Sequence, residues 1–176
     1  VVERAPAFRD GGQTIDVRSA GRVVVQRMGL EALVRANTTH EQGIAFVDQD
    51  NRTKAFIDVN AFNGEGPIAE LEILRGELAK LLIQHSQDRV SYRFGDSIET
   101  MDDKGEQVHV RFKQGGEQVY DLVIVAEGIG STTRNGVFGN EVQRRPLDLY
   151  TAYFTVPWQP SDGQEIGRAS CRERVS

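Results

Sequence analysis

Cysteine is nearly missing from this sequence: of 176 residues, only Cys171 carries a thiol. That scarcity excludes a disulfide-stapled secreted fold and suits a cytoplasmic setting. Across residues 1–164 it also excludes thiol catalysis and cysteine-ligated zinc. No apolar run approaches the roughly 18 residues that a membrane-spanning helix needs, so no integral membrane segment is expected. Positive charge is in short supply as well. Lys and Arg number 21 against 26 Asp and Glu, for a net charge of −5, which gives no footing for nucleic acid or anionic membrane. His40, His85 and His109 are scattered, and none sits in a Ser or carboxylate motif, so each reads as structural or exposed. Asp48, Asp50, Asp102 and Asp103 suit turns, and no carboxylate spacing marks a metal site. No protein nucleophile or other catalytic side chain stands out.

What is present is an ordinary globular mixture, 39% hydrophobic, long enough for one domain or for one and part of another. Residues 1–3 read as a strand end, residues 9–13 as a turn-rich loop and residues 14–17 as a short strand. Ser19 is the expected cap of a helix over residues 21–28, with Val24, Val25 and Met28 at helical spacing. Gly29 interrupts it, and residues 30–35 form a second helical piece. Residues 44–47 and 54–59 suit a hairpin turning at Asp50-Asn51, and residues 62–67 a loop. Ala69, Leu71 and Ile73 alternate with Glu70 and Glu72, the period of a half-buried strand. From Arg75 the period lengthens, and Leu78, Leu81 and Leu82 mark a helix to about residue 87. Strands are then expected over residues 90–94, 97–101, 108–112, 117–120, 122–126 and 149–156, followed by a Pro-containing loop at 158–160.

The most informative stretch is Asp121-Leu-Val-Ile-Val-Ala-Glu-Gly-Ile-Gly-Ser-Thr-Thr-Arg134. Five apolar residues predict a strand buried on both faces, as in a parallel sheet covered by helices. The pair Glu127-Gly128 falls at its carboxyl end, and Ser131, Thr132 or Thr133 can cap a helix that follows. Ligands of open α/β sheets bind at that edge, where helix N-termini offer free N–H groups.

This stretch resembles the second conserved motif of FAD-dependent aromatic-ring monooxygenases of the p-hydroxybenzoate hydroxylase type, in which the acid is Asp and lies near FAD. Glu127 takes its place here. The resemblance covers residues 1 to about 157. It implies an α/β FAD/NAD(P)-binding three-layer fold, incomplete, interleaved with a substrate-domain β-sheet. Residues 1–164 would form a partial FAD-binding domain, with about 44–74 and 149–157 on the substrate side. Val1-Val2-Glu3-Arg4 resembles the end of the family's second strand, whose terminal acid holds the adenosine ribose of FAD. A carboxylate suits that task because it accepts two hydroxyl bonds in a fork. The Gly-x-Gly-x-x-Gly turn expected about 20 residues before such an acid is absent from the sequence. Residues 165–176, Glu165-Ile-Gly-Arg-Ala-Ser-Cys-Arg-Glu-Arg-Val-Ser, resemble the translated read-through of a sequencing adapter and are set aside from the fold.

The cofactor-binding residues that the resemblance implies are Glu3, Arg4, Arg18, Arg75, Glu127 and Gly128. Arg75 stands where a strand hands over to a helix; its fixed charge suits phosphate, with pairing to Glu77 or Glu72 as the alternative. Arg18 follows Gln13 and Asp16 in a loop that skirts the flavin in relatives. Gly128 allows close approach to backbone because it lacks Cβ, and Arg134 is a helix-borne partner or pairs locally. The implied activity is hydroxylation of an organic, aromatic or polyketide-like, substrate with FAD, NAD(P)H and O2, with the chain itself an inactive fragment. Another FAD-dependent oxidoreductase or a halogenase of the same fold remains an alternative, as does a flavin-free binding domain. Neither substrate nor oligomeric state is legible.

Overall fold

A computed structural model describes residues 1–50, 52–62, 66, 69–157 and 168–169. In chain order its elements begin with β1 (Val2–Glu3), β2 (Thr14–Asp16), α1 (Ser19–Arg27), α2 (Glu31–Ala36), β3 (Gly43–Val47) and β4 (Thr53–Asp58). Then come β5 (Glu72–Leu74), α3 (Arg75–Ser86), β6 (Arg93–Phe94), β7 (Ile98–Asp103), β8 (Val108–Phe112) and β9 (Glu117–Tyr120). α4 (Thr132–Phe138), a 3-10 turn at Gly139–Glu141 and β10 (Arg168–Ala169) complete the order. Two compact units result: Val1–Arg9 with Gln87–Ala152, and Asp10–Ser86 with Tyr153–Ser176.

The unit containing Asp10–Ser86 is held by one apolar cluster. Val17, Val25, Leu30, Val34, Leu71 and Ile73 are buried, and Ile15, Met28, Leu78, Leu81 and Leu82 pack against them. β2 and β5 pair antiparallel, with Thr14 opposite Leu74 and Asp16 opposite Glu72. Gly29, at φ 71, ends the first helical segment before α2, as its position in the sequence predicts. Helix α3 starts directly from β5, and its second residue is Gly76 because the loop before β2 crosses there: a Cβ would lie 1.6 Å from the Asp10 carbonyl oxygen. β3 and β4 form the expected hairpin. Its turn is organised by Asp48, whose Oδ1 accepts the Asp50 and Arg52 N–H groups at 2.9 Å each. Asn51, and residues 63–65, 67 and 158–160 of the expected loops, lie outside the described residues.

The unit containing Gln87–Ala152 carries a three-stranded meander, β7-β8-β9, and a two-stranded parallel pair, β1 with β6. Val110 and Phe112 of β8 are its most buried side chains. The buried Asp96 carboxylate ties the turn after β6 to the meander. Its Oδ1 accepts N–H bonds from Ser97 (2.8 Å) and Gln114 (3.0 Å), and its Oδ2 lies 2.6 Å from the Arg93 guanidinium. That guanidinium in turn stacks over Phe112, 4.4 Å from the ring centroid.

Several expectations are corrected. Residues 122–126 form no strand and pair with none among the described residues, and Leu122 and Ile124 are 73% and 81% exposed rather than buried. Residues 149–156 are likewise unpaired and exposed. Apolarity creates a demand for burial, but a strand forms only where a partner edge presents its N–H and C=O groups. Ser19 does not cap α1: it is the first helical residue, at φ 44, and Arg18 occupies the cap position without a side-chain bond. Glu72, expected on the open face of its strand, is buried. Apart from these corrections, Arg168 and Ala169 pair in parallel with Ala45 and Phe46, and residues 165–176 keep their resemblance to an adapter read-through.

Candidate functional site

The site grows from the tip of β1. Pairing with β6 ends at Glu3 opposite Phe94, and the next turn is fixed by the Asp96 N–H to the Glu3 carbonyl (3.2 Å) and the Gly95 N–H to the Ala5 carbonyl (2.7 Å). The Glu3 carboxylate accepts the Ala5 N–H through Oε1 at 2.6 Å. Among the described residues no other hydrogen bond reaches that side chain, so one oxygen is left to face outward.

Glu127, at the end of the apolar run, is placed very differently. Its Oε2 accepts from the Ser131 hydroxyl (2.6 Å) and the Thr133 N–H (3.2 Å), and its Oε1 from the Thr133 hydroxyl (2.8 Å). Ser131 is the N-cap of α4, its oxygen accepting the Arg134 N–H at 3.0 Å. Partial burial pushes the Glu127 carboxyl up, but the Ser131 and Thr133 bonds and the Arg4 charge outweigh it and hold it below the ordinary carboxylate range. The loop is further tied by the Arg134 guanidinium, which donates to the Gly128 (3.2 Å) and Ile129 (2.8 Å) carbonyls. Arg134 thus takes the local of its two expected roles. Gly128 sits at φ 75 with no atom within 4 Å of where a Cβ would stand, so its backbone faces open space in a conformation that favours glycine.

Glu3, Arg4 and Glu127 line one cavity of about 800 Å³, together with Lys113, Thr132 and the apolar side of residues 122–125. Three carboxylates, those of Glu3, Asp96 and Glu127, and the cations Arg4 and Lys113 beside an apolar trough suit a long, partly apolar, partly anionic ligand with sugar hydroxyls. The remaining two predicted residues belong to the other unit. Arg18 is paired with Asp16 at 2.9 Å and donates to the Gly66 carbonyl. Arg75 lies along the 10–13 loop: its N–H donates to Gln13 O (3.1 Å), its Nη2 to Gly11 O (3.4 Å), and its guanidinium occupies the space a Cβ on Gly12 would need. No carboxylate pairs with Arg75 among the described residues, neither Glu77 nor Glu72. A permanent charge without a counter-ion, set on a glycine-containing loop, is suited to an anion.

Asp96 and Gly76 are the positions that sequence reasoning missed. Each acts through a chain segment distant in sequence, Gln114 and Asp10 respectively. The only local signal was Gly95-Asp96, a turn pair, and a glycine in the first turn of a helix where Ala would be preferred. Among the described residues, no cluster of His, Cys, Asp and Glu has a geometry that holds a metal, and no helix is long and apolar enough to cross a membrane.

No family model matches the chain. An uncharacterized protein of Mycobacterium tuberculosis is 41% identical over 188 residues, covering 99% of this chain and 50% of that protein. An FAD-dependent monooxygenase of Sarocladium schorii is 33% identical over 163 residues, covering 89% of this chain and 38% of that enzyme. Among solved structures, tetracycline destructase Tet(55) is 30% identical with a TM-score of 0.66, covering 80% of this chain and 34% of that one. CtdE, solved with FAD and a substrate, shares the fold at 19% identity and a TM-score of 0.60, over 76% of this chain and 32% of that one. The chain spans half the length, or less, of the curated relatives it matches. The fold is of the α/β flavoprotein type, and several homologues are named as FAD- or flavin-dependent monooxygenases.

Proposed function

We propose that this chain supplies part of the FAD site of a flavin-dependent monooxygenase, of the p-hydroxybenzoate hydroxylase type, that takes NAD(P)H and O2 and hydroxylates a small organic substrate. The observation that carries this reading is the convergence of Glu3, Arg4 and Glu127 on one cavity within a single unit. The residues fit the group. Glu3 offers a free carboxylate oxygen to the ribose hydroxyls, and Arg4 and Lys113 offer charge to a pyrophosphate. Gly128 offers backbone that a ring can approach. Glu127 acts at one remove: both its oxygens are engaged by its own loop, so it shapes the Gly128 backbone rather than gripping the ligand. Within its own unit, Arg75 is the cation more available to an anion, because Arg18 already has a counter-ion. When bound, FAD supplies the redox chemistry, and the protein's task is to orient and shield it.

The test is flavin binding by the chain expressed together with the flanking sequence its relatives carry. A visible flavin absorption band and NAD(P)H oxidation are expected. Glu3→Ala should weaken FAD by about 1.5–3 kcal/mol, about tenfold or more, as befits one charge-assisted bond pair. Absence of both the band and FAD-dependent fluorescence quenching would overturn the reading and leave a flavin-free binding domain. The chain alone, without flanking sequence, should not saturate with FAD.

A further inference from the structure

The buried acid Glu72 and its neighbour Glu41 form a pair that the flavin reading does not use. Thr38 bridges to Ile73 of β5, and the Thr39 N–H donates to the Glu72 carbonyl at 2.9 Å, so residues 38–41 run beside β5. Glu41 follows directly, half-buried, and its Oε2 is shut off from solvent and has no hydrogen-bond partner. The carboxyl that it faces is that of Glu72. Two ionised carboxylates are both acceptors and cannot satisfy each other, whereas one proton between them converts the contact into a hydrogen bond.

We propose that Glu41 and Glu72 share a single proton, the Glu41 hydroxyl donating to the Glu72 carboxylate, and that this bond latches residues 38–42 onto β5 and so fixes the base of the β3–β4 hairpin.

The groups around the pair support this. Asp16 of β2 lies opposite Glu72 and adds a third carboxylate, neutralised by Arg18. The nearby cations of α1 and α2, Arg22 and Arg35, are engaged by Glu31 and Glu70. Asp58 at the end of β4 accepts the Asn60 N–H and offers no positive charge. His40 turns outward, its Nδ1 3.2 Å from the Thr38 hydroxyl. No cation pairs with Glu41 among the described residues. Burial and then the Glu72 carboxyl push Glu41 up to about 7, against the opposing Thr39 hydroxyl. His40 also holds φ 55, a left-handed conformation costly for a residue with a Cβ. A strained residue next to a proton-dependent bond is a segment set to release when the proton leaves.

An acid whose folded value lies above its unfolded one binds more protons when folded. Its stabilisation is therefore full in acid and is lost as pH rises, here between 4.5 and about 7. The experiment follows amide exchange at Thr39 and Val59, which donate to the Glu72 and Gln42 carbonyls, from below 4.5 to above 7, corrected for intrinsic exchange. Protection at both should fall by about tenfold or more, one unit of pKa being a factor of ten. The Lys113 amide, bonded to the Ser97 carbonyl in the other unit, should not follow. Glu41→Gln, whose amide donates at every pH, should abolish the fall, and so should Glu72→Gln, whose amide donates to the ionised Glu41 carboxylate. On the wild type, infrared spectroscopy between these pH values should show a protonated carboxylic acid, which decides the matter even if Glu41→Gln does not fold. Flat wild-type protection, an unchanged fall in Glu41→Gln, or no protonated acid would each overturn the shared proton.

Discussion

At the scale of single residues, Glu127 governs its loop by reach. Its side chain spans from the end of the apolar run to Thr133, satisfying two hydroxyls and an N–H that would otherwise be open at the start of α4. Shortening it in Glu127→Asp, or removing it in Glu127→Ala, should cost about 1 kcal/mol, in the range of a lost helix cap, measured by urea denaturation. Because the Glu127 carboxyl is held below its ordinary range, its contribution is present above that range and lost as pH falls through the lowered value. Glu127→Gln should therefore flatten the acid side of the stability curve, and an unchanged acid limb would show the bonds to be unimportant. The sequence marked Glu127 and Gly128 as a ligand tip through their place after an apolar run. It could not say that the carboxylate would be spent on Ser131 and Thr133, since any of three adjacent hydroxyls could cap the helix.

Among the elements, those with a period of their own were legible. Leu78, Leu81 and Leu82 lie on the core side of α3 as their spacing predicts, and β8 and β9 fall where alternation and Gly115-Gly116 placed them. Residues 122–126 and 149–156 were not, because a run of apolar side chains specifies burial without naming the strand beside it. Packing at β5 sets the largest expected loss. Ile73 is fully buried between α-helical and strand neighbours, so Ile73→Ala should cost about 2–5 kcal/mol in chemical denaturation. Gly76→Ala tests a closer contact. The added methyl must displace the Asp10 carbonyl, breaking the Arg75 N–H bond to Gln13, and exchange at the Arg75 amide should accelerate while distant core amides hold. Asp96→Asn should loosen the Ser97 and Gln114 amides by the same readout, since neither bond retains a charged acceptor.

For the whole molecule, apolar exposure dominates. Leu122, Ile124, Ile129, Leu149 and Phe154 are all mostly open to water, more than an isolated soluble surface ordinarily presents in one chain. The chain should bind a hydrophobic reporter dye strongly, and Ile124→Lys should lower that signal without lowering the denaturation midpoint. Expression with flanking sequence should lower it further, and equal dye binding by both forms would show that the surface stays bare.

The pairing of β1 with β6 carries a consequence for synthesis. Val2 and Glu3 are made well before their partners, since Arg93 and Phe94 emerge some ninety positions later. At about 5–20 residues per second, translation leaves the tip of β1 without its neighbour for several seconds. Meanwhile Asp10–Ser86 can already close on itself, so that segment matures before β1 meets its partner.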